Sequence, residues 1–332
     1  MSSIPKIVPG STSFGRKYQL QIFLDQGLQT EILTVTGSDF EPEALRIVFD
    51  VYTPCFATYW WADINIYNLN MTTTKSLISA ASAIKQGMIV VLKAGYKNGN
   101  FDVIWQGPVF QALWSRENVV DFKLSLHCIF SLESALSGAV ISPANSAAGA
   151  SQSEILNGMI ASLGLHADSI SPTISQKKLS RGKKMFGSPE RYFNWLAEDN
   201  NMIWFLSHRG ITFGSLTDRQ TSTEPAIKYT PTTGLLDTPQ QTQNGVNFTV
   251  LLDPRLRAQI PLMTVAIDQA AIQQYKLSIN ELILPLDKDG VYVLGEVRHR
   301  GDSRGVPWYT EVTGYEKVGS AMAWAFNANI NR

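Results

Sequence analysis

The chain has 332 residues, with 28 lysines and arginines balanced by 28 aspartates and glutamates, 44% hydrophobic residues and two cysteines. Its length accommodates two or three domains of ordinary size, and zero formal charge excludes the cationic excess with which a nucleic-acid-coating protein displaces counterions. The hydrophobic content excludes a disordered chain, no apolar run reaches the roughly 20 residues of a membrane span, and residues 1–10 lack a secretory signal, so Cys55 and Cys128 are expected as free thiols.

The first third reads as strands. Residues 18–24, 43–51 and 61–67 mix aromatic, β-branched and polar side chains in the manner of half-buried strands. Residues 72–85 place Leu77, Ile78, Ala81 and Ile84 at helical spacing. Asn98-Gly99 predicts a tight hairpin turn with positive φ, joining a strand over 88–96 to one over 101–110. Residues 120–130 alternate cleanly, with Phe122, Leu124, Leu126 and Cys128 on one face and Asp121, Lys123, Ser125 and His127 on the other.

Residues 137–150, small and weakly periodic, read as a connector. A helical grammar follows. Ser151 and Glu154 make a capping box for a helix carrying Ile155, Leu156, Met159, Ile160 and Leu163, ended by Gly164. A second helix starts with Ser188-Pro189, packs through Tyr192, Phe193 and Leu196, and stops at Asn200-Asn201. Residues 202–207 and 211–214 form a small hairpin about His208-Arg209-Gly210. Strands return from Ile227, at 246–252, 262–267, 291–298 and 309–315. Asp289-Gly290 precedes Val291 as Asn98-Gly99 precedes Phe101, and the loops 115–118 and 301–305 occupy matching places, the pattern of an internal duplication.

Reactive chemistry is not legible. The four histidines, His127, His166, His208 and His299, have no partner at metal spacing, and Glu296 and His299 fall on opposite faces of a strand. Asp287-Lys-Asp-Gly290 lacks the closing glutamate of a calcium loop. No serine-nucleophile elbow or phosphate loop is present, and Glu198-Asp199 diverge on a helix, unlike opposed glycosidase carboxylates. The basic run Lys177–Lys184 reads as a solvated loop edge, with an acidic partner as the alternative. No catalytic residue, cofactor or metal is expected. Trp60, Trp61, Trp105, Trp114, Trp308 and Trp324 instead favour a protein whose surfaces meet other surfaces, and the apolar end 321–326 favours docking through Trp324 and Phe326.

The run Gly234–Leu256, with Gly245, Leu252, Pro254, Arg255 and Leu256, and the later His299, Gly301, Asp302 and Trp308, together resemble baseplate hub proteins of contractile-tailed bacteriophages. The hub region of type VI secretion spike proteins is related to these. The resemblance implies a mainly β chain with an α+β insertion: a tube-like β-barrel domain (1–136), a connector (137–150), a small helix-hairpin module (151–224), a second tube-like barrel (225–318) and a docking tail (319–332). It implies a homotrimeric ring of pseudo-sixfold symmetry in the virion tail baseplate, assembled in the host cytoplasm. Such a ring joins the hexameric tail tube to a trimeric spike and contacts other baseplate proteins, with the genome passing through and without sequence-specific nucleic-acid binding or membrane. No needle-like extension follows the second β region, so the spike is expected as a separate polypeptide. A wall-degrading or carbohydrate-binding tail component and a non-hub tail-tube adaptor remain the alternatives.

Overall fold

The computed structural model describes residues 13–24, 30–54, 59–82, 87–131, 141–163, 166–171, 174, 177–200, 202–207, 210–215, 225–242, 245–257, 263–268, 272 and 289–316. The first β region contains β1 (Arg16–Phe23), β2 (Glu31–Ser38), β3 (Ile47–Pro54), β4 (Tyr59–Tyr67), helix α1 (Met71–Ser82), β5 (Ile89–Tyr96), β6 (Phe101–Arg116) and β7 (Phe122–Ser131). A middle stretch follows with β8 (Ile141–Ser146), α2 (Gln152–Ser162), β9 (Ala167–Ile170), β10 (Lys183–Gly187), α3 (Pro189–Asn200), β11 (Met202–Ser207) and β12 (Gly210–Ser215). The second β region holds β13 (Ile227–Tyr229), β14 (Gln240–Thr242), β15 (Gly245–Leu251), β16 (Thr264–Ile267), β17 (Val291–Asp302) and β18 (Trp308–Glu316). The protein is therefore mainly β with a small α+β module.

The two β regions share one sheet. Thirteen strands are hydrogen-bonded in the order β14-β15-β18-β17-β3-β4-β7-β6-β5-β1-β2, with β16 on β17 and β13 on β16. The junction is the antiparallel pairing of β17 with β3, which runs from Glu296 opposite Pro54 to Asp302 opposite Val48. The alternation that marks each strand decides its inward face. Ile47, Phe49 and Val51 of β3, Trp60, Ala62, Ile64 and Ile66 of β4, and Leu124, Leu126 and Cys128 of β7 are buried in one core with β1 and β5. Each such aliphatic side chain contributes about 1.5–3 kcal/mol on leaving water. A second core gathers Val246, Phe248, Val250, Val265, Tyr292, Leu294, Val297 and Val312. The middle stretch has a third, built from Ile155, Leu156, Met159 and Ile160 of α2 against Phe193 and Leu196 of α3 and Ile211 and Phe213 of β12. The capping box forms as read: the Glu154 amide donates to Ser151 Oγ at 3.1 Å, and the Ser151 amide donates to Glu154 Oε2 at 3.2 Å.

Local readings diverge from the structure where backbone pairing overrides side-chain pattern. Residues 141–146, read as connector, form β8, and Lys183 and Lys184 of the basic run lie in its partner β10. Small residues leave no periodic signature, but their backbone groups still need partners. The β5–β6 hairpin is present, yet neither Asn98 nor Gly99 has a positive φ. The loop spans Lys97–Asn100, and Gly95 is the glycine that shapes it. Gly95 sits at φ +157°, and a Cβ there would lie 1.9 Å from the Asn100 carbonyl oxygen. Gly290, by contrast, has φ +66°, and the Val291 amide donates to Asp289 Oδ1 at 2.9 Å, the turn expected there. Gly164, Asn201, His208, Arg209 and Leu262 lie outside the described residues.

Replacing Gly95 by Ala is expected to cost about 2 kcal/mol or more, because backbone must move to relieve the clash. Gly99→Ala should stay below about 1 kcal/mol. Urea unfolding of the two variants measures the contrast, and equal losses would return the turn to Asn98-Gly99.

Candidate functional site

Most of the residues singled out by the sequence meet at the seam where β17 joins β3. The turn after β15 crosses from one core to the other. Leu252 is buried with the first core and Leu256 with the second, four residues on. Between them Asp253 is almost fully buried and accepts from the Arg255 amide at 3.0 Å, from Arg255 Nε at 2.9 Å and Nη2 at 2.5 Å, and from Tyr229 Oη at 2.7 Å. Burial by itself would raise the Asp253 pKa. The Arg255 hydrogen bonds and charge outweigh it and hold the carboxyl below the usual carboxylate range. Pro254, buried, lines a small cavity at the seam together with Trp60, Trp105, Leu256 and His299.

His299 lies on the inward face of β17, 1% exposed. Its Nε2 faces the Leu256 carbonyl oxygen at 3.2 Å and its Nδ1 faces Thr310 Oγ1 at 2.9 Å, while Thr310 Oγ1 also accepts from the Asp253 amide at 3.1 Å. A carbonyl can only accept, so Nε2 carries the proton. Nδ1 then accepts from the Thr310 hydroxyl, and the imidazole is neutral. Burial drives its pKa down to about 4. The histidine is thus a cross-brace that ties the turn after β15 to β17 and β18.

The loop between β17 and β18 forms the rest of the seam. Asp302 accepts from Arg46 Nε at 3.1 Å, Arg46 Nη2 at 2.6 Å and the Arg304 amide at 2.9 Å. Desolvation raises its pKa, but the Arg46 hydrogen bonds and the loop amides prevail and leave it lowered. Ser303 and Ile47 exchange two bonds, Ile47 N to Ser303 Oγ and Ser303 N to the Ile47 carbonyl, each 2.9 Å. Arg16 reaches over from β1 to donate to the carbonyls of Asp302, Gly305 and Val306 at 3.0, 2.5 and 3.2 Å, with its guanidinium 5.6 Å from the Trp308 ring centroid. Trp308 packs edge-on against Phe49 at 5.4 Å. Gly301 is required because a Cβ there would lie 2.2 Å from the Phe49 ring, and Gly245 because a Cβ would lie 1.9 Å from the Gly314 carbonyl oxygen. Asp253, Arg255, His299 and Asp302 thus use their polar groups on neighbours in the seam, whereas the buried Trp308 Nε1 has no hydrogen-bond partner among the described residues.

On the opposite, polar face of the same strands a row of charges crosses the junction. Arg298 donates to both Asp50 oxygens at 2.7 Å, and Arg300 lies 3.3 Å from Asp50 and 3.2 Å from Glu311. Asp63, opposite Asp50, faces His127 Nδ1 at 2.6 Å. His127, read from the sequence as merely solvated, therefore has a carboxylate partner on the next strand. Partly exposed pairs of this kind contribute about 1 kcal/mol or less apiece, the bidentate one most. Among the described residues no three His, Cys, Asp or Glu side chains converge on a metal position, and no helix is long and apolar enough to cross a membrane.

The tryptophans divide. Trp60, Trp105 and Trp308 are core residues at 4%, 1% and 4% exposure, which corrects their reading as surface anchors, whereas Trp114 is 43% exposed. Trp324 and Phe326 lie outside the described residues, as does Cys55. Cys128 is a buried free thiol, pushed up by burial. The sequence reading missed Asp253, Tyr229, Thr310, Arg16, Arg46 and Ser303. Asp253 was within sight, inside the Leu252–Leu256 motif. Arg46 and Asp302 are 256 positions apart, and nothing in a single sequence pairs them.

This architecture, a β sheet of two joined regions with an inserted α+β module, is the fold of tail proteins of known structure. One solved structure is the 43 kDa tail protein of prophage MuSo2 from Shewanella oneidensis, similar at 9% identity with a TM-score of 0.54, covering 92% of this chain and 98% of that one. A tail protein from Neisseria meningitidis MC58 is similar at 11% identity and a TM-score of 0.52, covering 94% of this chain and 99% of that one. No protein-family model matches the sequence, and no curated protein does.

A histidine held at a pKa of about 4 makes stability depend on pH. The unfolded imidazole titrates near 6.5, so the folded state binds fewer protons between the two values. Stability is complete above pH 6.5 and falls as pH drops toward 4. From pH 7.5 to pH 5 the loss should be about 2 kcal/mol by urea unfolding, and His299→Gln should abolish most of that slope. A variant slope equal to the parent's would contradict the assignment. Asp302→Ala should cost about 1–3 kcal/mol by leaving the Arg304 amide and the Arg46 guanidinium without their acceptor. It should also speed amide exchange across residues 303–306, and unchanged exchange there would show that the loop is held by other groups.

Proposed function

We propose that the chain is a structural subunit of a phage tail, the baseplate hub of a contractile tail. In this reading three copies close a ring of pseudo-sixfold symmetry that joins the hexameric tail tube to a separate trimeric spike, contacts other baseplate proteins and surrounds the channel taken by the genome. The role is mechanical rather than enzymatic, and the site is the virion tail. In this reading the domains are two tube-like barrels, 1–136 and 225–318, a connector at 137–150, the module 151–224 and a C-terminal segment, 319–332, docked on a neighbour through Trp324 and Phe326.

One observation carries the reading. A single chain holds two β regions hydrogen-bonded side by side in one sheet through β3 and β17, so each copy offers two comparable positions around an axis, and three copies offer six. The likeness in fold to two tail proteins, each covered almost end to end, supports it. A chain whose polar groups at the seam are spent on internal braces fits a part that transmits force better than one that turns over a substrate.

The decisive experiment is native mass spectrometry of the purified chain, alone and with the spike and tube proteins of the same phage, followed by negative-stain class averages viewed down the axis. A trimer imaged as a threefold annulus with six lobes is the expected outcome. A chain that stays monomeric with both partners, or that hydrolyses peptidoglycan, would overturn the proposal.

A further inference from the structure

The hairpin between β5 and β6 takes its shape from Gly95, and Gly99 has no positive φ that a side chain would resist. What the pair Asn98-Gly99 does carry is chemistry. A carboxamide stands next to a backbone nitrogen whose own residue has no Cβ to shield it. The chain has three Asn-Gly pairs, at 98, 157 and 244, and one Asp-Gly pair, at 289. Asn244 lies outside the described residues. The other three pairs sit in quite different backbones.

Asn157-Gly158 lies inside α2, with both residues exposed. Exposure does not protect it, but the helix does. The Gly158 amide is given to the carbonyl one turn earlier, and turning that nitrogen onto the Asn157 side chain would break the helix. In Asp289-Gly290 the Asp289 Oδ1 accepts from the Val291 amide at 2.9 Å, so the carboxylate is held on the amide beyond the glycine. Asn98 has no such restraint. It is exposed in the loop Lys97–Asn100, and its carboxamide makes no hydrogen bond among the described residues. The Gly99 amide has one turn bond, to the Tyr96 carbonyl at 3.3 Å, beyond the ordinary range for such bonds. The ends of the loop are fixed, since the Tyr96 amide donates to the Asn100 carbonyl at 3.1 Å and the Lys97 amide to the Gly15 carbonyl at 2.8 Å. Only the tip has to move.

We infer that Asn98 is a site of spontaneous covalent modification, in which its side chain closes on the Gly99 nitrogen and opens again as an acid. The Gly99 nitrogen gives its proton to solvent and forms a bond to Asn98 Cγ. The bond from Cγ to the carboxamide nitrogen breaks, and that nitrogen leaves as ammonia. Water then adds to one of the two carbonyls of the succinimide ring and breaks a ring C–N bond, leaving an aspartate or an isoaspartate at position 98. Nothing is oxidised or reduced, and water is the only co-reactant, so the step is independent of the role proposed above. Its product differs from the parent in charge and, as isoaspartate, in backbone length. The new carboxylate stands beside Lys97, whose Nζ lies 5.1 Å from the Phe40 ring centroid, and Phe40 packs on Phe14 at 5.8 Å. A neutral, cation-capped aromatic corner of the first β region thereby acquires a negative charge.

The full-length chain, incubated in mildly alkaline buffer and sampled over days, tests this by peptide mapping with mass spectrometry and by labelling with isoaspartyl methyltransferase. Asn98 should be converted about tenfold or more faster than Asn157, with the Asp289 peptide unlabelled. In urea the helix is lost, and the two asparagines should react within about twofold of one another. Gly99→Ala, which the hairpin tolerates, should slow conversion at Asn98 about tenfold or more, because the added methyl crowds the attacking nitrogen and stiffens the tip. Asn98→Ser should remove the signal at this position and leave that at Asn157 as it was. Equal rates at Asn98 and Asn157 in the folded chain would overturn the inference. So would a Gly99→Ala rate equal to the parent's, or a preference for Asn98 that persists unchanged in urea.

Discussion

Seven residues of β17 hydrogen-bonded antiparallel to seven of β3 hold the two halves of this protein together. Main-chain pairing of this kind fixes register strictly, since a slip of one residue would turn every inward side chain outward. Here a slip would expose Phe49 and Val51 and bury Asp50, whose carboxylate holds Arg298 and Arg300 on the outer face. The junction is locked on both faces. Hydrophobic burial and the Phe49–Trp308 contact hold the inside, and the carboxylate–guanidinium row holds the outside.

The polar braces around the junction depend on that register. Asp302 meets Arg46, and Ser303 meets Ile47, only because β17 ends beside the start of β3. The neutral His299 is held by the same geometry from the second core, through Leu256 and Thr310. The carboxylates of Asp253 and Asp302 and the His299 ring each have hydrogen-bond partners in the seam, and removing one would cost about 1–3 kcal/mol. The seam therefore behaves as a unit, in which the turn after β15, the end of β17 and the start of β3 stand or fall together. The motif residues here are accordingly glycines that admit a close neighbour, apolar anchors and charges paired within the seam.

The module between the β regions is built on different terms. Its helices are specified locally, by a capping box and by apolar residues at helical spacing, and they close a core with their own small sheet. Phe130, at the end of β7, packs on both this core and the first, so the module grows directly from the sheet. Its strands β8 and β10 are paired through their backbones in sequence that reads as connector and basic loop.

What the sequence by itself determined was carried by short-range pattern. The alternation in 122–128, the Ser151–Glu154 cap, the Ser188-Pro189 helix start and the Asp289-Gly290 turn each need only a few neighbouring residues, and each stands where it was read. The Leu252–Leu256 and His299–Trp308 motifs were visible as residue types, but as two separate motifs. Only the tertiary structure brought them to one seam, because that requires pairing between strands about 250 positions apart, and such pairing leaves no mark on either strand alone. The same reason explains the surprises: Gly95 rather than Gly99 as the hairpin's glycine, His127 held by Asp63, and Trp60, Trp105 and Trp308 inside. In each case the deciding atom belongs to a neighbouring strand or loop, a carbonyl or ring brought within a few ångströms by the fold.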